Sequence, residues 1–176
     1  MRMAYTIVDS ALGRLLVAAT GKGICFVSLG EDDPAMEAEL RSDYPSADIR
    51  RDDSAGPPWV EALLRYLRGE SDDLALPLDA PGTGFQERVW AGLRSIPFGS
   101  TRTYKEIARA LGLPETAARA VGRACATNSV SLVIPCHRAR RADGGLAGYR
   151  WGLERKRLLI EIEKSFPGRA ATALIV

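Results

Sequence analysis

Long apolar runs are absent from the 176 residues of this chain. No stretch of about 18 apolar residues occurs, so the sequence predicts no transmembrane helix. The first residues also lack the charged segment, apolar run and small-residue cleavage site of a secretion signal. We therefore predict a cytoplasmic protein that does not enter a membrane.

Cysteine and histidine are scarce. The three cysteines, Cys25, Cys125 and Cys136, form no CxxC pair, and His137 is the single histidine. An odd number of dispersed cysteines argues against a disulfide framework. A zinc site would need nearly all four of these residues, which lie far apart along the chain, so no metal site is predicted.

The net charge of +2 hides an uneven distribution. Residues 101–160 contain 12 Lys+Arg and 4 Asp+Glu, whereas residues 1–100 contain 10 Lys+Arg and 16 Asp+Glu. A basic segment of this kind is typical of a protein that binds a polyanion. Arginines that only solvate helix surfaces explain the charge equally well.

The N-terminal half predicts a small antiparallel sheet with one or two helices. Strands are predicted at 5–8, 15–19 and 24–27, helices at 34–41 and 59–67, and a loop at 50–58. Residues 74–84 are rich in proline and glycine and predict an extended connector. We place a domain boundary there, giving an N-terminal support domain at 1–80 and a C-terminal domain at 81–176.

The C-terminal half is predicted to be mostly helical, which makes the chain an α+β protein. Helices are expected at 85–93, 104–111, 114–126 and around 151–162. Thr103 and Glu106 form a capping-box pattern at the start of the second helix. Only Gly112-Leu113 separates the second helix from the third, which is the helix-turn-helix pattern of winged-helix-like domains and also that of an ordinary helical hairpin.

Small residues cover one side of the third helix. They leave a surface that allows either close approach to a DNA groove or tight helix packing, and the pattern alone does not choose between the two. These residues are Ala117, Ala118, Ala120 and Gly122.

Cys136 lies beside the single histidine and among arginines. A thiolate is a strong nucleophile, but a free thiol near neutral pH is mostly protonated and needs a base. On an extended backbone Cys136 and His137 would point in opposite directions, so a bridging water is the natural proton relay. Glu163 is one of several carboxylates that could orient the imidazole. The alternative is a buried structural thiol, as we predict for Cys25 and Cys125.

Several motifs in one order resemble the O6-alkylguanine-DNA alkyltransferase family. Ile134-Pro135-Cys136-His137-Arg138 looks like its active-site signature, and the resemblance continues through residues 76–163. Other matching segments are 82–86, 96–101, 119–122, Asn128, and the 143–149 loop. The chain is most similar to the C-terminal half of the bacterial adaptive-response protein.

The resemblance implies a catalytic role for five residues. Cys136 would accept the alkyl group, and His137 would deprotonate it through a water while Glu163 orients the imidazole. Asn128 would brace the turn before the active-site strand, and Tyr104 would help to extrude the base and protonate the leaving guanine. No metal or organic cofactor is implied.

The resemblance also implies contacts with double-stranded DNA that contains O6-alkylguanine. Arg119 would fill the gap left by the flipped nucleotide, and Tyr149 would cover the pocket. Ala117, Ala118, Ala120, Gly122 and Arg138 complete the predicted DNA-binding set. We expect single-turnover repair of O6-alkylguanine, and of O4-alkylthymine, by a monomer.

Two residues depart from the family pattern. Ser129 replaces a frequent proline, which would loosen the turn, and Ala139 replaces a frequent valine, which would widen the pocket. Three other functions fit the sequence less well. A non-catalytic alkyl-base sensor would lack Cys136, a helix-turn-helix regulator would not need the Cys136–His137 pair, and a cysteine hydrolase places its histidine far from the cysteine.

Overall fold

The N-terminal half is a four-stranded sheet flanked by two helices. The computed structural model describes residues 1–53 and 59–166. The strand order is β3-β2-β1-β4, with antiparallel pairing except between β1 and β4. The elements are β1 (Arg2–Ser10), β2 (Gly13–Ala19), β3 (Ile24–Gly30), α1 (Asp33–Asp43), β4 (Asp48–Arg51) and α2 (Val60–Leu67). All three predicted strands and both predicted helices fall on these elements.

The predicted loop at 50–58 is wrong at its start. Residues Arg50 and Arg51 belong to β4, which pairs in parallel with the edge of β1. An edge strand keeps most of its side chains in solvent, so its polar sequence hides it from hydropathy patterns. Residues 54–58 of that predicted loop lie outside the described residues.

The C-terminal half is mainly helical. Its elements are α3 (Gly84–Arg94), β5 (Arg102–Thr103), α4 (Tyr104–Ala110), α5 (Ala118–Ala126), β6 (Ala139–Arg140) and α6 (Leu153–Ser165), with one-turn 3-10 helices at Glu115–Ala117 and Cys136–Arg138. Thr103 caps α4 and forms the predicted capping box with Glu106. Together α4, the 3-10 turn and α5 form the helix-turn-helix, whose second helix begins later than predicted.

The backbone at Cys136 differs from the extended conformation that the sequence predicts. Residues 136–138 form a 3-10 turn after Pro135, and only Ala139–Arg140 continue as a strand. Just upstream, Leu132 has a φ of 69°, a left-handed conformation that is strained for a branched side chain. The segment around Cys136 therefore consists of consecutive tight turns. The apolar side chains of residues 131–134 did not indicate this conformation.

The two faces of the sheet bury different cores. Leu16 and Ala18 of β2 pack with α1, whereas Leu15 and Val17 face a larger core that includes α2, α3 and α5. This alternation is the two-residue period of a strand that is covered on both sides. The larger core extends from the sheet to Cys136 without interruption.

No helix in residues 1–53 and 59–166 is long and apolar enough to cross a membrane. The part of the predicted C-terminal domain beyond Phe166 lies outside the described residues.

Candidate active site

Asn128 ties together the turn that carries Cys136. Its side-chain NH2 donates to the carbonyl of Ile134 at 2.9 Å, and its side-chain oxygen accepts from the amide of Val130 at 2.8 Å. The same NH2 group lies 3.1 Å from Cys136 Sγ and donates to it. Because Asn128 is fully buried, these bonds fix the turn around Leu132 and orient the sulfur at once.

His137 and Glu163 form a buried pair beside this turn. Imidazole Nε2 lies 2.6 Å from Glu163 Oε1, and both side chains are almost fully buried. The hydroxyl of Tyr66 donates to the same carboxylate oxygen at 2.5 Å and lies 3.2 Å from Nε2. Nδ1 of His137 has no hydrogen-bond partner among the protein atoms described. Within the described residues, no hydrogen bond joins His137 directly to Cys136. A proton would therefore pass between the two side chains through a water.

Further donors hold the Glu163 carboxylate as an anion. Arg138 Nε donates to both of its oxygens at 3.0 Å, and the amide of Gly99 donates to Oε2 at 2.7 Å. Burial alone would raise the pKa of Glu163, but the hydrogen bond from His137, the charge of Arg138 and the hydrogen bond from Tyr66 outweigh it and lower the pKa to about 2. Burial lowers the pKa of His137, so the imidazole is neutral and able to act as a base.

The Cys136 thiol is protonated at rest. Burial raises the pKa of Cys136, and the hydrogen bond from Asn128 and the charge of Lys156 offset this only in part. Lys156 is itself fully buried, and its ammonium donates to the carbonyl of Ala147 at 3.2 Å. A nucleophilic sulfur at this position therefore requires a base, which the neutral His137 can supply.

A cleft of about 380 Å³ opens at Cys136. Its lining residues are Tyr104, Gly122, Cys125, Ala126, Cys136, Gly148, Tyr149 and Arg150. The hydroxyl of Tyr149 is hydrogen-bonded to Ser131 at 2.7 Å, which fastens the 143–149 loop over the site. A larger cavity, lined by residues such as Trp90 and Arg94, has neither thiol nor imidazole in its described lining.

The helix-turn-helix forms one wall of this cleft. Tyr104, at the start of α4, is half-buried, and a Cβ built on Gly122 would lie 3.9 Å from its ring. Burial raises the pKa of Tyr104 to about 12, so its hydroxyl keeps its proton. Arg119 and Ala120 are exposed on α5 and Ala117 and Ala118 are half-buried. Arg119 has no ion-pair partner within residues 1–53 and 59–166.

The predicted DNA contact of Arg138 does not agree with its position. The residue is 8% exposed, and its guanidinium donates to Glu163 and to the carbonyl of Ile96 and lies over the ring of Phe98. A cation with these partners inside the core is not available to a phosphate. The sequence could not distinguish it from the exposed arginines that follow it.

The two departures lie at buried positions. Ser129 is buried, and its carbonyl accepts from the amide of Val27, so the turn is anchored to β3. Ala139 is fully buried and is not among the described residues that line the cleft. The looser turn and the wider pocket expected from them stay predictions.

Sequence reasoning missed three residues of the site. Tyr66 contacts the His137–Glu163 pair from the N-terminal half, Lys156 lies behind the thiols, and Cys125 lines the cleft instead of serving only as core. A tyrosine on the apolar face of a predicted helix was the one available signal, because a buried hydroxyl needs a partner. No group of three or more metal-ligating side chains occurs in the described part of the chain.

Comparisons with known proteins agree with this geometry. Residues 3–80 match the ribonuclease-like domain of 6-O-methylguanine DNA methyltransferase, and residues 84–165 match its DNA-binding domain. The chain is 44% identical over 163 residues to the bifunctional transcriptional activator/DNA repair enzyme Ada of Escherichia coli, covering 93% of this chain and 46% of Ada. It thus spans about half the length of Ada and of its Salmonella typhimurium counterpart.

Shorter relatives match along nearly their whole length. The methylated-DNA–protein-cysteine methyltransferase of Mycobacterium tuberculosis is 40% identical over 161 residues, covering 92% of both chains. The crystal structure of the O6-methylguanine methyltransferase of that organism has a TM-score of 0.79 at 36% identity, covering 97% of this chain and 98% of the other. The structure of that enzyme in complex with DNA has a TM-score of 0.80 at 39% identity, covering 92% and 93%. The chain therefore belongs to the methylated-DNA–protein-cysteine methyltransferase family.

Proposed function

We propose that the chain removes the alkyl group from O6-alkylguanine, and from O4-alkylthymine, in duplex DNA and transfers it to Cys136. The observation that carries this proposal is a thiol at the base of an open cleft beside a neutral imidazole whose Nδ1 is unoccupied by protein. Cys136 lines the cleft and His137 lies behind it, so substrate can approach the sulfur without displacing the base.

The transfer balances with the groups at hand. The Cys136 proton moves through a water to Nδ1 of His137, and the thiolate attacks the alkyl carbon in line with the bond to the base oxygen. An S–C bond forms as the C–O bond breaks, and the departing guanine takes a proton from Tyr104. The proton that His137 received from Cys136 is released to water and replaces the one that Tyr104 gave up, so the net change is one proton moved from the thiol to the guanine. The thioether has no easy route back to a thiol, so each molecule reacts once.

The damaged nucleotide must leave the duplex to reach Cys136. The O6 atom of a paired guanine lies within the base stack, and extruding the nucleotide costs a few kcal/mol. Arg119, exposed on α5, is the residue that we assign to the resulting gap. The small residues Ala117, Ala118, Ala120 and Gly122 let that helix approach the groove, while Tyr149 closes the pocket over the flipped base.

The expected monomeric state and the DNA partner belong to the same proposal. The cleft, the base and the helix-turn-helix all lie within one chain, which favours a monomer on DNA. The similar Mycobacterium tuberculosis enzyme has been crystallised with DNA, which supports DNA as the partner here. We retain a division near residue 80, although the larger core is shared by residues on both sides of it.

Intact-mass measurement tests the reaction directly. The protein is incubated with a duplex that carries one O6-methylguanine, and the adduct is then mapped. We expect the mass of one methylene to be added to Cys136, in one-to-one yield, and no gain with undamaged duplex. Cys125→Ser is the matched control, because Cys125 lines the same cleft, and it should react like the unmodified protein.

The mass measurement, together with a DNA-binding measurement on Cys136→Ala, distinguishes repair from transcriptional regulation. If folded, reduced protein gains no mass while Cys136→Ala binds undamaged DNA with high sequence selectivity, the chain is a helix-turn-helix regulator. If the adduct maps to Cys125, the assignment of the acceptor is wrong even though the repair reaction is right.

A further inference from the structure

Tyr66 is the residue of the N-terminal half that touches the catalytic pair. It lies on α2, fully buried, and its hydroxyl is within hydrogen-bond distance of both Glu163 and His137. Its ring packs edge-on against Phe98 with centroids 5.8 Å apart, which holds the hydroxyl in place.

The direction of each hydrogen bond follows from the charge of Glu163. An ionised carboxylate only accepts, so both Tyr66 and Nε2 of His137 must donate to Oε1. The Tyr66 hydroxyl has one proton, which is used for Glu163, so its oxygen faces Nε2 as an acceptor. Both neighbours of Nε2 therefore favour a proton on that nitrogen, which leaves Nδ1 as the lone pair that a water can use.

We infer that Tyr66 is a positioning residue for alkyl transfer, one that holds the His137 proton on Nε2 and limits how strongly Glu163 stabilises the imidazolium. This inference rests on the proposed function for its effect on rate. By donating to Oε1, the hydroxyl withdraws negative charge from the oxygen that faces His137. The imidazole therefore remains neutral, and available as a base, to a lower pH than the Glu163 contact alone would allow.

Other charged groups around His137 are accounted for. Glu163 and Lys156 face it from α6, Arg138 from its own turn, and Tyr66 from α2. Lys156 and Arg138 both oppose a positive imidazole and remain when the Tyr66 hydroxyl is removed. Replacing Tyr66 with phenylalanine thus changes only the hydroxyl while keeping the ring that packs on Phe98.

The single histidine makes the test direct. In protein labelled with 15N-histidine, one imidazole signal reports the tautomer and the titration midpoint of His137. We expect the Nε2–H tautomer in the unmodified protein, and in Tyr66→Phe a midpoint higher by about half a unit. A shift of that size corresponds to up to about a threefold change in the neutral fraction.

The rate of alkyl transfer should follow the titration. In single-turnover reactions with an O6-methylguanine duplex, Tyr66→Phe should be about threefold slower at the acid end of the profile and should approach the unmodified rate at pH 8. Affinity for the duplex should not change. Tyr5→Phe is the control, because it also removes a tyrosine hydroxyl bond of the N-terminal half, here to Glu37 and within the smaller core on the other face of the sheet.

Three results would overturn the inference. An Nδ1–H tautomer in the unmodified protein excludes it without any variant, and so does a Tyr66→Phe protein with an unshifted midpoint and pH profile. Equal effects in Tyr5→Phe would indicate a purely structural role. If the unmodified protein transfers no alkyl group, the proposed function fails on its own, while the tautomer and midpoint still decide whether Tyr66 positions His137.

Discussion

Replacing Arg138 with methionine removes a cation from the interior and leaves its anionic partner behind. The guanidinium makes two contacts of 3.0 Å with Glu163 and one of 2.7 Å with the carbonyl of Ile96. Methionine keeps much of the aliphatic volume but none of these donors. Glu163 then keeps its other hydrogen-bond partners but loses the buried cation that compensates its charge. Removing one member of a buried ion pair costs about 3–5 kcal/mol of stability.

Urea unfolding measures this cost. We expect Arg138→Met to lower the free energy of unfolding by about 3 kcal/mol or more. In the double variant with Glu163→Gln the uncompensated charge is gone, so the second substitution should add less than it does alone. The difference between the single and double variants isolates the coupling between the two side chains.

Arg119→Met is the matched control on the surface. Arg119 is exposed and lies on the helix that we assign to the groove, so its loss should change stability by less than about 0.5 kcal/mol. It should instead weaken DNA binding and reduce the salt dependence of the affinity. The reasoning is refuted if Arg138→Met unfolds like the unmodified protein and binds DNA less tightly, because Arg138 would then act as the surface contact first predicted from the sequence.

Two further predictions concern the same turn and carboxylate. The low pKa of Glu163, about 2 against an ordinary 4.5, contributes stability above pH 4.5 that is lost as the pH falls towards 2. Between pH 4.5 and pH 2, the free energy of unfolding should therefore fall by about 3 kcal/mol more in the unmodified protein than in Glu163→Gln. Equal losses in the two proteins would contradict the low pKa assigned to Glu163. Asn128→Ala leaves the amide of Val130 without its buried partner and removes one of the two donors to the carbonyl of Ile134, so we expect a loss of about 1–3 kcal/mol in urea unfolding. Its alkyl transfer should also be slower in folded protein, and an unchanged rate would show that the bond to Cys136 is not needed.

Local patterns predicted most of the helices and strands but not the geometry of the site. The capping box of Thr103 and Glu106 and the strand at 15–19 follow from neighbouring residues, and the structure has both. The contact of Tyr66 with Glu163 joins residues 97 positions apart, and no periodicity contains that distance. Such a contact is fixed only when the helices pack.

Arg138 shows why charge patterns alone mislead. In the sequence it stands beside Arg140 and Arg141 as one of a basic cluster, which suggests a phosphate surface. The 3-10 turn at Cys136–Arg138 directs it inward, where Glu163 compensates its charge.

The sheet places the thiol as much as the helices do. The amide of Val27 in β3 donates to the carbonyl of Ser129 at 2.9 Å, and the amide of Ser131 donates back to Val27 at 3.1 Å. The outer edge of β3 is thereby paired with residues 129–131. Asn128 braces this segment, which leads into Cys136. Main-chain bonds of this kind do not depend on side-chain identity, so the carbonyl of a serine at position 129 can accept the Val27 bond as that of any other residue would. The N-terminal half thus contributes both backbone support for the turn that carries Cys136 and, through Tyr66, a hydroxyl in contact with His137 and Glu163, so both halves of the chain build the site.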